Sequence, residues 1–324
     1  MTHAIRVHEH GGPEVLKWES VEVPRPGPGQ ALIRHRAVGL NFIEVYFRTG
    51  VYKPAQLPFI PGNEGAGEVI AVGEGVDSVR PGDRVAYAMA IGSYADERLI
   101  DADRLVKLPD GISDESAAAM MLKGMTACYL LRRTFPVSSK HTILFHAGAG
   151  GVGSIATQWA VALGATVITT VGSEEKAEIA RQHGCQHVIN YRTEDFVERV
   201  REITSGNGVD VVYDSIGQDA FPGSLDILRP MGMWVLFGQS SGLVPPIDMN
   251  MLAQKGSLFA TRPTLGNYAA KREDLEALAS ELFDVVGSGK VRIEVNQTYS
   301  LSEAAQAHRD LEARKTTGAT VLLP

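Results

Sequence analysis

Only two cysteines, Cys128 and Cys185, occur in 324 residues, and they form no C-x-x-C pair. Neither a disulfide framework nor a clustered zinc site is indicated, and a reducing compartment fits. No uninterrupted apolar run reaches the roughly 20 residues that span a bilayer. The opening Met1-Thr2-His3-Ala4-Ile5-Arg6-Val7-His8 also lacks the apolar core of a signal peptide. A cytoplasmic location without membrane association is the resulting expectation. Basic excess is missing too: 31 Lys and Arg face 38 Asp and Glu, a net charge of −7. With no basic tail and no aromatic-basic RNA motif, nucleic-acid binding is disfavoured. The chain has no low-complexity segment and is long enough for two domains, each with its own core.

What the chain does contain is a glycine turn. His146-Ala147-Gly148-Ala149-Gly150-Gly151-Val152-Gly153 follows the apolar run Thr142 to Phe145 and opens an amphipathic segment. Gly148, Gly150 and Gly153 fit G-x-G-x-x-G, in which the glycines permit a tight turn, a bare backbone beside a pyrophosphate and a close helix-strand crossing. Amides at a helix start, with the helix dipole, favour bound negative charge. Alone the pattern is weak, because a glycine-rich turn can also be simple packing. Its context is stronger. Strand-like runs recur at Thr166 to Val171, His187 to Ile189, Val209 to Tyr213, Met233 to Phe237 and Ser257 to Ala260. Val152, Ile155, Ala156, Trp159, Ala160 and Leu163 recur at helical spacing between the first two runs. This alternation predicts an α/β, doubly wound parallel sheet of Rossmann type with ligand at the carboxyl ends of its strands.

Before this block, Pro24 to Gly29, Pro61-Gly62 and Pro81-Gly82-Asp83 punctuate short runs, including Ala31 to Val38, Glu68 to Val72 and Asp83 to Tyr87. They predict a β-rich domain. Ser113 is placed to cap a helix through Met121, and a second helix is expected over Met125 to Thr134. Past Thr261 the alternation stops. Helices are expected over Asp274 to Val286 and Ser302 to Arg314, around a strand-like Val291 to Tyr299, with a closing strand over Ala319 to Leu323. The tail is inferred to return to the first domain, so residues 1–125 and 266–324 form the β-rich domain and 126–265 the nucleotide domain.

The cofactor can be read from the second strand's end. An NAD site carries an acidic residue about 20 positions past the glycines, bonded to the ribose 2′-hydroxyl. Here the end of that strand carries Gly172 and Ser173, followed by Glu174, Glu175 and Lys176. The Ser173 hydroxyl and Lys176 ammonium suit a 2′-phosphate, so NADP is favoured. Glu174 or Glu175 would bind the ribose if the turn runs differently, and Ser173 also reads as a helix N-cap. Tyr191 reads equally as an adenine neighbour and as an exposed loop aromatic.

Taken with Gly11 to Leu16, Gly39 to Glu44, Pro61 to Gly67, Lys123 to Ala127 and Gln158, these residues resemble the quinone oxidoreductase branch of the zinc-free medium-chain dehydrogenases/reductases, which includes zeta-crystallin, over nearly the whole chain. Val161 and Lys140 depart from residues often seen there. The resemblance implies a split, GroES-like catalytic domain around an inserted Rossmann domain, NADPH as cofactor, and a homodimer through Rossmann edge strands, with Ser257 to Thr261 as a candidate edge. In zinc-dependent relatives a cysteine and a histidine stand where Asn41 and Asn63 do. Asparagine supplies neither a thiolate nor an imidazole, so no metal site is expected. His146 reads as a strand-end packing residue.

The resemblance also implies site residues, with nicotinamide in an interdomain cleft bordered by Asn41 and Thr126. Tyr46 and Tyr52 would shape a quinone pocket, each also readable as a packing aromatic. Cofactor contacts carried over are Gly150, Gly151 and Val152 at the pyrophosphate, Ser215, Phe237-Gly238-Gln239-Ser240, Phe259 and Thr261. Arg314 is a further candidate at the 2′-phosphate, with a helix-end cation as its plainer reading. Glu64 and Lys123 read either as a buried pair or as separate surface groups. A quinone is electrophilic enough to be reduced without a metal, leaving the protein to supply proximity, orientation and exclusion of water. Tyr52 and water both stand as proton donors. The rival functions are an enoyl or alkenal reductase with the same cofactor geometry, and a noncatalytic, crystallin-like NADPH-binding protein.

Overall fold

In the computed structural model, which describes residues 2–324, the chain opens with an antiparallel pair, β1 (Thr2–Val7) and β2 (Leu16–Val21). There follow β3 (Gln30–Leu40), α1 (Phe42–Thr49), β4 (Glu64–Val72), β5 (Arg84–Ala88), β6 (Glu97–Asp101), β7 (Val106–Lys107) and α2 (Asp114–Tyr129). The middle of the chain runs β8 (Thr142–His146), α3 (Gly151–Ala162), β9 (Thr166–Val171), α4 (Glu174–Gln182), β10 (His187–Asn190), α5 (Phe196–Ile203) and β11 (Val209–Asp214). It continues through α6 (Gly223–Asp226), β12 (Leu228–Leu236), α7 (Met249–Gln254), β13 (Phe259–Thr261) and α8 (Leu265–Tyr268). The tail adds α9 (Arg272–Gly287), β14 (Val295–Ser300), α10 (Ala304–Glu312) and β15 (Ala319–Leu323). Two units result: Met1–Met125 with Ala269–Gly287 and Ile293–Pro324, and Thr126–Tyr268 with Ser288–Arg292.

The first unit holds a seven-stranded sheet in the order β14-β15-β3-β4-β5-β7, with β6 also paired to β3. The expected closing strand is β15, which runs antiparallel to β3 with Thr320 opposite Leu40. Strand β3 carries a bulge. His35 faces Gly67 and Ala37 faces Ala66, leaving Arg36 as the extra residue. Before the bulge, Ala31 and Ile33 enter one core with Val69, Val85 and Leu105. After it, Val38 and Leu40 enter another with Ile5, Val7, Leu301 and Leu322. An extra residue reverses which side chains face inward, and that reversal lets one strand serve both. Arg48 of α1, only 1% exposed, donates to Glu312 of α10 (2.7 Å) and lies 3.3 Å from His308 Nδ1. His308 Nε2 in turn meets the Tyr94 hydroxyl (3.2 Å). The tail helix is thus held to α1 by a buried, charge-assisted network.

The second unit is a six-stranded, wholly parallel sheet in the order β10-β9-β8-β11-β12-β13. The order reverses between β8 and β11, which places a switch-point crevice at the carboxyl ends of those strands. Ile168, Val200, Val212, Leu225 and Trp234 build the core on one face.

Two local expectations differ from the structure, and one helix was not expected. The two helices expected at Ser113 to Met121 and Met125 to Thr134 are one helix, α2, extended by a π-helical turn at Leu130–Thr134. Gly124 does not interrupt it, because the absent side chain makes room for α9: a Cβ there would lie 2.5 Å from Leu282 Cδ1. The expected cap at Ser113 is present, its Oγ accepting from Ser116 N–H (3.1 Å). The strand-like Val291 to Tyr299 narrows to Val295–Ser300, since Gln158 draws Arg292 away through hydrogen bonds to its N–H (2.9 Å) and carbonyl (3.1 Å). Helix α1 was not anticipated, although the Asn41-x-x-Glu44 capping box announces it.

The bulge predicts a pair of mutational outcomes. A Cβ at Gly67 would lie 2.0 Å from the Arg34 carbonyl oxygen, a backbone atom of the paired strand. Gly67→Ala should therefore destabilise the fold by roughly 1–3 kcal/mol. Gly111→Ala, where nothing lies within 4 Å, should be near neutral. Denaturant midpoints check both, and equal midpoints would contradict the steric account.

Candidate active site

Helix α1 starts where a β-strand ends, and the residue at the junction is Asn41. Its N–H donates to Glu44 Oε2 (2.6 Å), part of a capping box, and its amide Nδ2 donates to Glu64 Oε2 (2.9 Å). Glu64 opens β4 and is fully buried. Lys123 Nζ donates to the same Oε2 (2.7 Å), and Leu122 N–H to Oε1 (2.7 Å). Asn63 Nδ2 donates to Glu44 Oε1 (3.0 Å). All five side chains are buried. Of the two readings of Glu64 and Lys123, the buried pair is the one observed. Both asparagine amides are spent as donors to carboxylates, a use of these positions opposite to metal ligation.

Burial governs the behaviour of Glu44. Two carboxylates and one ammonium share this volume, and Lys123 is committed to Glu64. Burial pushes the Glu44 carboxyl up to about 7, against the lowering effect of the hydrogen bonds from Asn63 and Asn41 and of the Lys123 charge, while Glu64 adds a smaller repulsion. The group missed by sequence reasoning is thus Glu44, whose signals were the capping-box spacing and a carboxylate between the apolar Ile43 and Val45.

Tyr46 lies on α1 and Tyr52 just past its end, beyond Gly50, which closes the helix at φ +82°. Tyr52 N–H donates to the Tyr46 carbonyl (3.0 Å), and the two rings meet edge to face at 5.2 Å. Phe42 packs on Tyr46 (5.5 Å) and Phe47 on Tyr52 (5.7 Å). The result is an aromatic wall with both tyrosines half-buried. Asn41, Tyr46 and Tyr52 therefore share one short stretch of the first unit.

In the second unit the glycine turn has the geometry its residues predict. Gly150 caps α3 from an extended conformation, and the first intrahelical bond runs from Ser154 N–H to the Gly150 carbonyl (2.8 Å). The amides of Gly151, Val152 and Gly153 precede it, so they carry the positive end of the helix. No acidic residue occupies this first turn. Gly153 is obligatory here: a Cβ would lie 2.1 Å from the Ala147 carbonyl oxygen.

Several other predicted residues of this unit lie along the same sheet edge. Ser173 caps α4, its Oγ accepting from Lys176 N–H (3.3 Å). Tyr191 lies over the end of β9, where a Cβ on Gly172 would come within 2.5 Å of its hydroxyl. At the neighbouring strand ends, Phe237 N–H (2.8 Å) and Gly238 N–H (3.2 Å) donate to the Asp214 carbonyl, and Ser240 N–H to the Ser215 carbonyl (3.1 Å). Gln239 lies between them. Thr261 closes β13 opposite Val235. Phe259 stands apart, opposite Met233 and 57% exposed. Thr126 is buried in α2. Arg314 is exposed beyond the end of α10 with φ +60°, so it follows the helix rather than forming its last turn.

The elevated Glu44 pKa has a sign that can be measured. The folded value of about 7 lies above the ordinary 4.5, so the native state holds this proton when the unfolded chain has lost it. Glu44's contribution to stability therefore falls as pH rises from about 4.5 to 7. Glu44→Gln abolishes that titration. The mutant-minus-wild-type unfolding free energy should rise across this window by up to about 3 kcal/mol. A pH-independent difference would rule out the raised carboxyl.

Comparison with known proteins matches residues 27–110 to the alcohol dehydrogenase GroES-like domain and 151–284 to the zinc-binding dehydrogenase family. The chain is 51% identical to a quinone oxidoreductase of Pseudomonas aeruginosa, over 100% of both chains. It is 47% identical to a 2-haloacrylate reductase of Burkholderia, over 100% of this chain and 99% of that one. The crystal structure of Escherichia coli quinone oxidoreductase complexed with NADPH superposes with a TM-score of 0.98 at 47% identity, covering 100% of each chain. Together with the β-rich unit, the parallel sheet and the glycine turn, these likenesses establish that the chain belongs to the quinone oxidoreductase branch of the medium-chain dehydrogenases/reductases.

Proposed function

We propose that this protein is an NADPH-dependent quinone reductase that works without a metal. The observation that carries the reading is the Gly148 to Gly153 turn at the sheet's switch point, in a chain matching quinone oxidoreductases over its full length. The residues suit the cofactor. Three amides at the start of α3, with no carboxylate beside them, suit a pyrophosphate. Ser173, Lys176 and the Tyr191 ring at the end of β9 suit an adenosine 2′-phosphate. Ser215, Phe237, Gly238, Ser240 and Thr261 continue the same edge as further proposed cofactor contacts, and by the family resemblance we assign Asn41 and Thr126 to the nicotinamide.

When bound, NADPH supplies the reducing equivalents. The chain's own work is positioning and proton supply. Tyr46 and Tyr52 present flat apolar faces to a quinone ring and hydroxyls to its carbonyl oxygens. As negative charge develops on such an oxygen, a tyrosine O–H donates a hydrogen bond that strengthens with the charge. The metal-free assignment rests on Asn41 and Asn63, whose amides donate to Glu64 and Glu44. A cytoplasmic enzyme fits this cofactor and the two cysteines, both buried and outside any disulfide.

A second reading has a specific observation behind it. The 2-haloacrylate reductase is nearly as similar as the quinone oxidoreductases, and its name denotes an activated carbon–carbon double bond as substrate. Steady-state kinetics with ortho- and para-quinones beside conjugated enals decides between them. We expect every activity to require NADPH, to survive chelators, and to favour quinones. Tyr52→Phe should lower kcat/KM by roughly tenfold while leaving NADPH affinity nearly unchanged. Lys176→Ala should weaken NADPH about ten- to a hundredfold and NADH little. Faster turnover of enals than of every quinone would install the alkene reductase reading instead. NADPH bound but consumed by no electrophile would leave a noncatalytic binding protein.

The proposed assembly is a homodimer through β13, an edge strand of three residues whose Phe259 is 57% exposed. Unpaired edge amides beside an exposed aromatic favour pairing with a second copy. Light scattering should give twice the chain mass of 34.9 kDa. Phe259→Lys should shift the species toward monomer, and a monomeric wild type at working concentration would refute the assembly.

A further inference from the structure

Beneath the glycine turn of the second unit lies a chain of buried polar groups that joins four neighbouring elements. Asp214, at the end of β11, is fully buried and acts as its hub. Its Oδ1 accepts from Ile216 N–H (2.8 Å) and Gly217 N–H (3.0 Å), and its Oδ2 from Ser224 Oγ (2.9 Å) and Trp234 Nε1 (3.1 Å). Ser224 Oγ lies 3.1 Å from His146 Nε2, and His146 Nδ1 lies 2.9 Å from Thr170 Oγ1. Thr170 Oγ1 is 3.4 Å from Ala147 N. Ser224 is fully buried, His146 is 3% exposed and Thr170 2%.

The direction of every bond follows from the hub. A carboxylate only accepts, so Ser224 must give its one hydroxyl hydrogen to Asp214. Ser224 Oγ can then only accept from His146, which places the imidazole hydrogen on Nε2. Burial lowers the His146 pKa despite the opposing charge of Asp214, so the ring is neutral. A neutral ring with hydrogen on Nε2 has a bare Nδ1, which takes the Thr170 hydroxyl hydrogen. Thr170 Oγ1 is left to accept from Ala147 N–H. The Thr170 carbonyl also accepts from Gly148 N–H (3.2 Å), so one residue grips two successive amides of the turn. Ala147 needs such a hold: its φ of +57° is one that a non-glycine residue adopts at a cost.

We infer that Asp214, Ser224, His146 and Thr170 form a one-way hydrogen-bond relay that fixes the Ala147 to Gly150 turn in its dinucleotide-receiving shape, making Thr170 a positioning residue for the cofactor pyrophosphate. The inference rests on the NADPH reading above for its ligand, but the polarity of the relay does not. The same hub holds the Ser215 to Gly217 turn through Oδ1, so both strand-end loops take their geometry from one carboxylate.

Two measurements test it. The first is the ring-nitrogen spectrum of ¹⁵N-histidine-labelled, cofactor-free wild type, in which His146 should show only the neutral form protonated on Nε2. Ser224→Ala should release it to a mixture of tautomers. The second is titration with NADPH. Thr170→Val keeps the shape and deletes the hydroxyl; it should raise the NADPH Kd about tenfold while leaving kcat at saturating NADPH within about twofold. Thr170→Ser should restore the affinity, which a general loss of packing would not allow. A wild-type His146 protonated on Nδ1 overturns the relay, even if the variants fail to fold. Unchanged NADPH affinity in Thr170→Val overturns the positioning role. A wild type with the Nε2-protonated ring that binds no NADPH would overturn the cofactor reading and the role drawn from it, while the bond directions would stand.

Discussion

Glu64 is the group on which the first unit's functional end depends. Its carboxylate receives Lys123 Nζ and Asn41 Nδ2 on one oxygen and Leu122 N–H on the other, so a single side chain joins the start of β4, the middle of α2 and the cap of α1. Removing a partner from such a buried pair leaves an uncompensated charge, which costs more than the pair itself contributes. The close approach of backbone around it points the same way. A Cβ on Gly39 would lie 2.2 Å from the Ala118 carbonyl oxygen and 2.3 Å from Glu64 Oε2. Side-chain volume has been withheld so that three elements can converge on one carboxylate. Tyr46 is carried by the helix that Asn41 caps and Tyr52 follows just past its end, so the placement of the tyrosine wall is inherited from this junction.

The second unit is organised by the same device with a different hub. There, Asp214 gathers the amides of the loop that follows its own strand and side chains from α6 and β12, where Glu64 gathers elements of an antiparallel architecture. Both carboxylates are fully buried and both have their lone pairs taken by several donors, the condition under which a buried charge is tolerated. In each unit the buried polar network adjoins an apolar cluster and shares side chains with it: Trp234 of the second unit's core donates to Asp214, and Phe47, packed on a core of the first unit, also meets Tyr52.

Much of this was legible in the sequence because periodicity is a local property. The alternation from Thr142 onward gave the parallel sheet, and Gly148, Gly150 and Gly153 gave the turn, since both follow from spacing alone. Less local features were harder to read. Gly124 looks like a helix breaker until Leu282, far away in sequence, is seen to occupy the space it leaves. Val291 to Tyr299 reads as a strand until Gln158 claims Arg292. Asn41 was singled out by resemblance, but its commitment to Glu64 depends on a partner 23 residues on. His146 was read as packing; it does lie 5.2 Å from the Phe196 ring, yet both its nitrogens are engaged in hydrogen bonds to residues distant in sequence. Buried polar networks leave no period behind, and so pattern reading passes over them.

The bulge at Arg36 has a consequence for how the first unit comes apart. Because β3 changes its inward face at that residue, Ala31 and Ile33 belong to one apolar cluster while Val38 and Leu40 belong to another. The strand is a party wall. Neither cluster can open on that side without stripping the other of its boundary, and β15 of the tail leans on the same wall. The amino-terminal strands and the carboxyl-terminal tail, separated in sequence by the entire parallel-sheet unit, are therefore bound into a single cooperative unit of unfolding.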